Sequence, residues 1–240
     1  MFFTSKVAER QRHDELMDQP GLDEASHIQA LQALGRVNLI SRSGARLWPA
    51  IKQLAQGRSE ANPLRVLDVA SGGGDIAINL ARIARRSGLC VQVDGCDISD
   101  QAVKFAQTQA ESHGLSSRFF PSDGLGDALP KDYDIVTCTL FLHHLEPGDA
   151  TLLLKNLGAA ARQLVMVDDL IRSRLGYLLA RVGVQLLSRS AIVHYDGPVS
   201  VQGAYTVSEA MSLALAAGLK EAKIVTHWPE RFLLTWGRPQ

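Results

Sequence analysis

The sequence predicts an α/β protein built on a mostly parallel, seven-stranded sheet with a reversed last strand. A helical extension precedes the sheet, and a helical insertion follows the fifth strand. Three observations carry this. From Leu64 to Asp168, short apolar runs alternate with segments of helical periodicity, the pattern of consecutive βαβ units. The last two apolar runs, Ala222–His227 and Arg231–Trp236, are joined by a Pro-containing turn too short for a parallel crossover, so they are antiparallel neighbours. The chain has 240 residues, 46% hydrophobic and 21% charged, enough for one large core with a small helical addition.

The first sixty residues read as helices. Ile28, Leu31 and Leu34 recur at helical spacing, as do Leu47, Trp48, Ile51 and Leu54. Asn62-Pro63 closes this region, because a residue before proline avoids helical geometry. Residues 1–62 are therefore expected to form a helical cap, and 63–240 the core. Within the core, strands are expected at Leu64–Ala70, Val91–Cys96, Arg118–Pro121, Tyr133–Thr139 and Gln163–Asp168. Helices are expected at Ile76–Arg86, Gln101–His113 and Ala150–Ala161. Residues 170–204 are too long for a simple connection and are expected to form a substrate lid. Thr206 then caps a helix running to Ala217, with Glu209 at the capping-box position and Gly218 as its stop.

Twenty-five basic residues balance twenty-five acidic ones. No basic excess calls for nucleic acid, and no acidic block marks a disordered tail. Cys90, Cys96 and Cys138 lie in or beside apolar runs without metal-ligand spacing. They read as small buried hydrophobes in a reducing cytoplasm, and no metal is expected. The N-terminus is too charged for a signal peptide, and Leu175–Leu187, interrupted by Arg181, is too short to span a bilayer. A soluble monomer or homodimer is expected.

The segment Val66-Leu67-Asp68-Val69-Ala70-Ser71-Gly72-Gly73-Gly74-Asp75-Ile76-Ala77 is the most informative. An apolar strand runs through small residues into a helix, and the glycines allow positive φ and close approach of a ligand to the backbone. Gly72, Gly74 and Ala77 also satisfy the dinucleotide pattern G-x-G-x-x-A, so spacing alone leaves a pyrophosphate ligand open. Asp68 and Asp75 would repel a pyrophosphate. They suit a ligand carrying ammonium and sulfonium charges, although Asp68 could instead bind loop amides. Asp97, ending the second strand, is placed to accept hydrogen bonds from ribose hydroxyls. Asp123-Gly124 follows the third strand, where an acidic group meets an adenine amino group; Asp127 competes for that role.

These residues resemble a known family. Val66–Ala77 looks like motif I of the class I S-adenosylmethionine (SAM)-dependent methyltransferases, and Asp97-Ile98-Ser99 resembles their motif II. Ser122-Asp123-Gly124 is similar to their adenine-contacting motif, and Tyr133–Leu145, with His143-His144, looks like motif IV. The resemblance runs from about Leu64 to Asp168 and implies a Rossmann-like fold with SAM as cofactor and S-adenosylhomocysteine (SAH) as product. It implies that Asp68, Ala70, Ser71, Gly72 and Gly74 line the methionine end and Asp97 the ribose. Ile98 would meet the adenine face, Asp123 with Gly124 the adenine edge, and Thr139, through its backbone, the amino-acid portion. Ser71 departs from the Gly or Cys of many members.

Methyl transfer to oxygen, nitrogen or an activated ring carbon benefits from a general base, a role histidine fills near neutral pH. His143 and His144 end the fourth strand, where alternation would let only one face the cofactor; each reads either as a base or as a residue shaping the cofactor site. His194, in the Tyr195-Asp196-Gly197-Pro198 context of the insertion, is the best single catalytic candidate, with a plain turn histidine as the rival reading. Asp168-Asp169 reads more readily as a solvated strand terminus than as an acceptor or cation site. Leu175, Leu178, Leu179, Val182 and Leu186 share a helical face, ringed by Arg172, Arg174, Arg181 and Arg189; the stripe reads as core packing, as a pocket wall or as a membrane-touching lid. Arg42 and Arg46 are candidates for pairing with an acceptor or with the carboxylate of SAM.

The expected function is methyl transfer to a small acceptor, a hydrophobic phenol or quinone-like or polyketide compound, by O- or C-methylation. The alternatives are an NAD-dependent oxidoreductase, a protein or RNA methyltransferase and a non-catalytic SAM-binding scaffold. Neutral charge and the lack of an Asn-Pro-Pro-Tyr type tetrapeptide after Thr139 weigh against nucleobase methylation.

Overall fold

Seven strands form one sheet in the order β3-β2-β1-β4-β5-β7-β6. The computed structural model describes residues 7–18, 23, 28–33, 35, 43–188 and 190–238. The strands are β1 (Leu64–Val69), β2 (Val91–Asp97), β3 (Phe119–Pro121), β4 (Tyr133–Thr139), β5 (Ala161–Leu170), β6 (Lys223–His227) and β7 (Arg231–Gly237). β1 to β5 pair in parallel, with Val66 opposite both Val93 and Ile135. β7 is antiparallel to β5 and to β6, so the last strand is reversed as the sequence predicts.

Helices α1 (Ser43–Leu54), α2 (Asp75–Arg86), α3 (Asp100–Ser112), α4 (Pro147–Ala160), α5 (Arg174–Leu187), α6 (Ala191–Gly203) and α7 (Val207–Ala216) accompany the sheet. The two-residue period of the strands sorts side chains to opposite faces. Val66, Ile135 and Met166 pack with Leu47 and Ile51 of α1 and Leu80 of α2. Their neighbours Leu67, Val136 and Val165 pack with Leu153 and Leu157 of α4 and Ala210 of α7. Both faces are therefore covered, as an internal parallel sheet requires. The chain runs outward from β1 to β3 and then returns to β4 on the other side of β1. That reversal opens a crevice at the carboxyl ends of β1 and β4.

Two expectations change. Residues 28–33 are helical and α1 forms where expected, but Leu34 lies outside the described residues. The segment from Val7 to Glu15 is not helical. It runs along the end of α6, where the Gln11 amide donates to Gln202 O at 3.0 Å and the Arg10 guanidinium bonds the carbonyls of Gly203, His143 and Leu145. Tertiary contacts through the Gln11 amide and the Arg10 side chain hold the segment there without a helix ladder.

The insertion at 170–204 folds mainly into α5 and α6, packed on one another, and His194–Pro198, for which the sequence also allows a turn, lies inside α6. Gly197 is explained by proximity: a Cβ there would sit 2.6 Å from Val184 Cγ1 of α5. The turn-like dipeptide is a helix–helix contact, a case of tertiary packing overriding local propensity. The capping box of α7 forms as expected, with Thr206 and Glu209 bonding each other's backbone amides. Among the described residues no helix is long and apolar enough to cross a membrane.

Candidate active site

A cavity of about 800 Å³ fills the crevice at the switch point, between the strand ends below and α5 and α6 above. The loop after β1 forms its floor. Gly74 there has φ +75°, and a Cβ on it would lie 2.8 Å from Ala106 Cβ and Phe119 Cε1, so the position admits glycine alone. Ala70 and Leu140, which follow β1 and β4, also hold left-handed backbone, at φ 54° and 56°. Two strained non-glycine residues facing one crevice mark a place where the fold sets backbone for a ligand.

Three carboxylates surround this floor. Asp68 is buried and accepts a hydrogen bond from Thr137 Oγ1 at 2.6 Å. Burial pushes its carboxyl up to about 7, Thr137 opposes this, and the charges of Asp75 and Asp97 add to the rise. Asp97 accepts the Gly72 amide at 2.7 Å on one oxygen and the Ser99 amide at 2.9 Å on the other. Ile98 is 71% exposed and lines the cavity beside it. The Ser71 and Thr139 hydroxyls are buried and lack hydrogen-bond partners among the described residues. Ser71 Oγ lies beneath the loop, 2.9 Å from where a Cβ of Gly95 would begin. Thr139 is in the cavity wall, where an orphaned hydroxyl awaits a polar ligand.

Asp68, Ala70, Ser71, Gly72, Asp97, Ile98 and Thr139 are thus brought together around one space. Gly74 supports the loop from behind. Asp123 and Gly124 are not brought to the cavity. Asp123 turns its carboxylate to the Leu125 amide, its own amide donates to Asp127, and Gly124 packs on Val69 and Leu153.

The cavity's far wall holds the histidines. His143 and His144 lie in a 3-10 turn after β4 (Leu142–His144), not in a strand, so both line the cavity. Their ring centroids are 4.3 Å apart, and His144 stacks on Phe141. His143 Nδ1 is 2.6 Å from Asp169 Oδ1, and its amide donates to Asp169 Oδ2 at 3.1 Å. Its Nε2 faces Glu15 Oε1 at 3.6 Å; His144 Nε2 lies 3.8 Å from the same oxygen. Burial works against a charge on His143, but Asp169 and Glu15 outweigh it and push the ring up to about 10. Burial likewise raises Glu15, and His143 with His144 outweighs it and holds the carboxyl below its ordinary value.

Asp169 is therefore no solvated strand terminus. It is buried at the carboxyl end of an internal strand, as is Asp168, which accepts from His227 Nε2 at 2.6 Å and pairs with Arg231 at 3.4 Å. β5 lies between β4 and β7, so its end is roofed on both sides.

His194 is not brought to the cavity. Its Nε2 bonds Ser188 O at 2.8 Å, tying α6 to the end of α5, while Val193, Asp196 and Gly197 face the space. Glu15 escaped the sequence reading because nothing local marks it. Asp196 positions it by accepting the amides of Leu16 and Met17, and the Ser200 hydroxyl donates to its carboxylate. Arg46 is exposed on α1; Arg42 and Arg189 lie outside the described residues.

The family model described as "Methyltransferase domain" matches residues 66–163, from the glycine loop through the histidine turn to β5. That match spans most of β1, then β2 to β4 and the first residues of β5. Over residues 66–163 the chain is similar to methyltransferase domains. It is 32% identical over 130 residues to a ubiquinone biosynthesis O-methyltransferase of Thiobacillus denitrificans, covering 51% of each protein. It is 29% identical over 128 residues to the enzyme of that description from Burkholderia orbicola, covering 52% of each. The chain thus spans about half the length of these curated relatives. In fold it is similar to a SAM-dependent methyltransferase from Aquifex aeolicus, with TM-score 0.63 at 16% identity, covering 90% of this chain and 98% of that one. It is also similar to human N-acetylserotonin methyltransferase in complex with SAM, with TM-score 0.66 at 19% identity, covering 91% and 57%. The matched segment contains the glycine loop and Asp97, which floor the cavity described above.

Proposed function

We propose that this methyltransferase binds SAM in the cavity and passes its methyl group to the oxygen of a small, largely apolar acceptor such as a phenol or quinol. The observation that carries the reading is the ring of Asp68, Asp75 and Asp97 around the glycine loop, in a cavity that continues to the histidine turn. Three carboxylates favour a ligand with ammonium and sulfonium charges and disfavour the pyrophosphate of NAD, the ligand of an oxidoreductase on a related fold. Thr139 offers an unpartnered hydroxyl to the amino-acid portion, Asp97 retains lone pairs for the ribose, and Ile98 offers an apolar face to adenine.

The cofactor supplies an activated methyl group. The chain's own residues align the acceptor, exclude water and receive its proton. Leu170, Leu179, Val184 and Val201 make the acceptor side of the cavity apolar. The Glu15–His143–His144 cluster stands at that side; His144 takes the hydroxyl proton, while Asp169 and Glu15 hold the protonated His143 ring in place beside it. The curated relatives named as O-methyltransferases support oxygen as the acceptor atom.

Calorimetric titration with SAH and NAD⁺, followed by labelled-methyl transfer to a panel of phenols, catechols and quinols, tests the reading. Binding of SAH and labelling of a hydroxylated aromatic are expected. Binding of NAD⁺ without SAH overturns it.

A further inference from the structure

We propose that Glu15, His143 and His144 form a binding site for one divalent transition-metal cation, with Zn²⁺ the best match. The three side chains present ligand atoms that all lie within 4.8 Å of one another. Glu15 Oε1 is 3.6 Å from His143 Nε2 and 3.8 Å from His144 Nε2. Ligand atoms bound to tetrahedral zinc at about 2.0–2.1 Å are roughly 3.3 Å apart, so the two pairs that include Glu15 need to close by only about 0.3–0.5 Å, and the two histidine nitrogens already lie within 4.8 Å of one another. Two imidazoles and a carboxylate suit Zn²⁺, Co²⁺ or Fe²⁺, whereas Mg²⁺ prefers a wholly oxygen set.

The surroundings are those of a built site. A metal-bound histidine characteristically gives its other ring nitrogen to a carboxylate, and His143 Nδ1 meets Asp169 at 2.6 Å. That contact leaves Nε2 directed at Glu15. Glu15 is itself held by the Ser200 hydroxyl and by Asp196, which anchors the amides of the next two residues. Glu15 and Asp169 are both buried carboxylates beside the His143 ring, and one divalent cation on that ring would balance their charge in place of its proton. Arg10, the nearby cation on the same segment, is engaged with Glu146 and with backbone carbonyls. All three ligands face the cavity, so a fourth coordination position is open to an acceptor.

The consequence for chemistry rests on the methyl-transfer reading above. With the cation seated, the cluster acts on the acceptor as a Lewis acid in place of a proton acceptor. The bound hydroxyl loses its proton to solvent, the new O–CH3 bond forms as the S–CH3 bond breaks, and neutral SAH leaves. Sequence spacing could not show the site, because Glu15 comes from the N-terminal segment and reaches the histidines only in the fold.

The test is direct metal binding. Protein stripped with a chelator is titrated with Zn²⁺ by calorimetry and with Co²⁺ by visible absorption, and purified protein is assayed for metal content. One equivalent is expected to bind, and Glu15→Gln and His144→Asn should each weaken binding at least tenfold. Loss of Co²⁺ absorption in both variants, with circular dichroism unchanged, supports the site. Absence of binding to the wild type, or binding undiminished in both variants, overturns it. SAH titration of the metal-free wild type judges the cofactor reading separately, since none of the SAM contacts proposed above involves these three side chains.

Discussion

Asp169 holds His143 twice, accepting its backbone amide at 3.1 Å on one oxygen and meeting its Nδ1 at 2.6 Å with the other. A carboxylate at the end of β5 thus sets both the backbone and the ring of a residue in the turn after β4. The pairing is buried, so solvent does not compete for it. Asp169→Asn keeps the size but removes the charge that orients and charges the ring. Turnover should fall about 10- to 100-fold, the range seen when the partner of a functional histidine is lost, while SAH affinity changes little. Steady-state rates beside SAH calorimetry check this, and an unaltered rate would refute the positioning role.

Asp68 makes cofactor binding pH-dependent. Its folded value of about 7 lies above the ordinary 3.8, so its contribution to stability is fully present below about 3.8 and is lost as pH rises through about 7. A cationic ligand prefers the ionised form. SAM and SAH affinity should therefore rise toward pH 7 and level off above it, with proton release on binding at pH 6. Calorimetry in buffers of different ionisation enthalpy measures that release; a pH-independent affinity between 6 and 8 would contradict it.

Asp97→Ala should weaken SAH binding by about 1–3 kcal/mol, the worth of hydrogen bonds to a charged group. Part of the loss would come from the Gly72 amide, which Asp97 now holds at 2.7 Å. Asp97→Asn, which keeps an acceptor oxygen, should fall between. Equal affinity for all three proteins would remove Asp97 from the ribose site.

Gly95 in β2 is required by proximity alone. A Cβ there would lie 2.6 Å from the Phe119 ring and 2.9 Å from Ser71 Oγ. Gly95→Ala should cost about 1–3 kcal/mol of stability through overpacking and disturb the cofactor loop through Ser71. Chemical denaturation gives the first effect and SAH titration the second. Unchanged stability would show that Phe119 moves aside freely.

Thr206 caps α7, and Glu209 completes the box while pairing bidentately with Arg172. Thr206→Ala should lower stability by about 1 kcal/mol, and Thr206→Asp should restore most of it. Thermal melts compare the three. A neutral alanine variant would mean that the Arg172–Glu209 pair alone holds the helix start.

The strands, the reversed β7, the capping box of α7 and the glycine-loop floor of the cavity were legible in the sequence, because each rests on local signals. Strand alternation, a glycine loop and carboxylates at strand ends lie within a few residues of the structure they specify. Where such signals misled, packing was the cause. Gly197-Pro198 has turn chemistry but lies in a helix, because the missing Cβ admits Val184 of α5. Asp168-Asp169 looks like a polar strand end but is buried, because β4 and β7 flank it. His194 looks like a pocket residue but bonds the Ser188 carbonyl.

The sequence by itself determined the fold class and the glycine loop and carboxylates that gather at one end of the sheet. Only the tertiary structure decided which groups form the far wall of the cavity there. Glu15, His143, His144 and Asp169 come from three separate parts of the chain. Periodicity and motif spacing describe neighbours along the chain, whereas charge compensation in a buried cluster depends on distances across it, and only folding sets those.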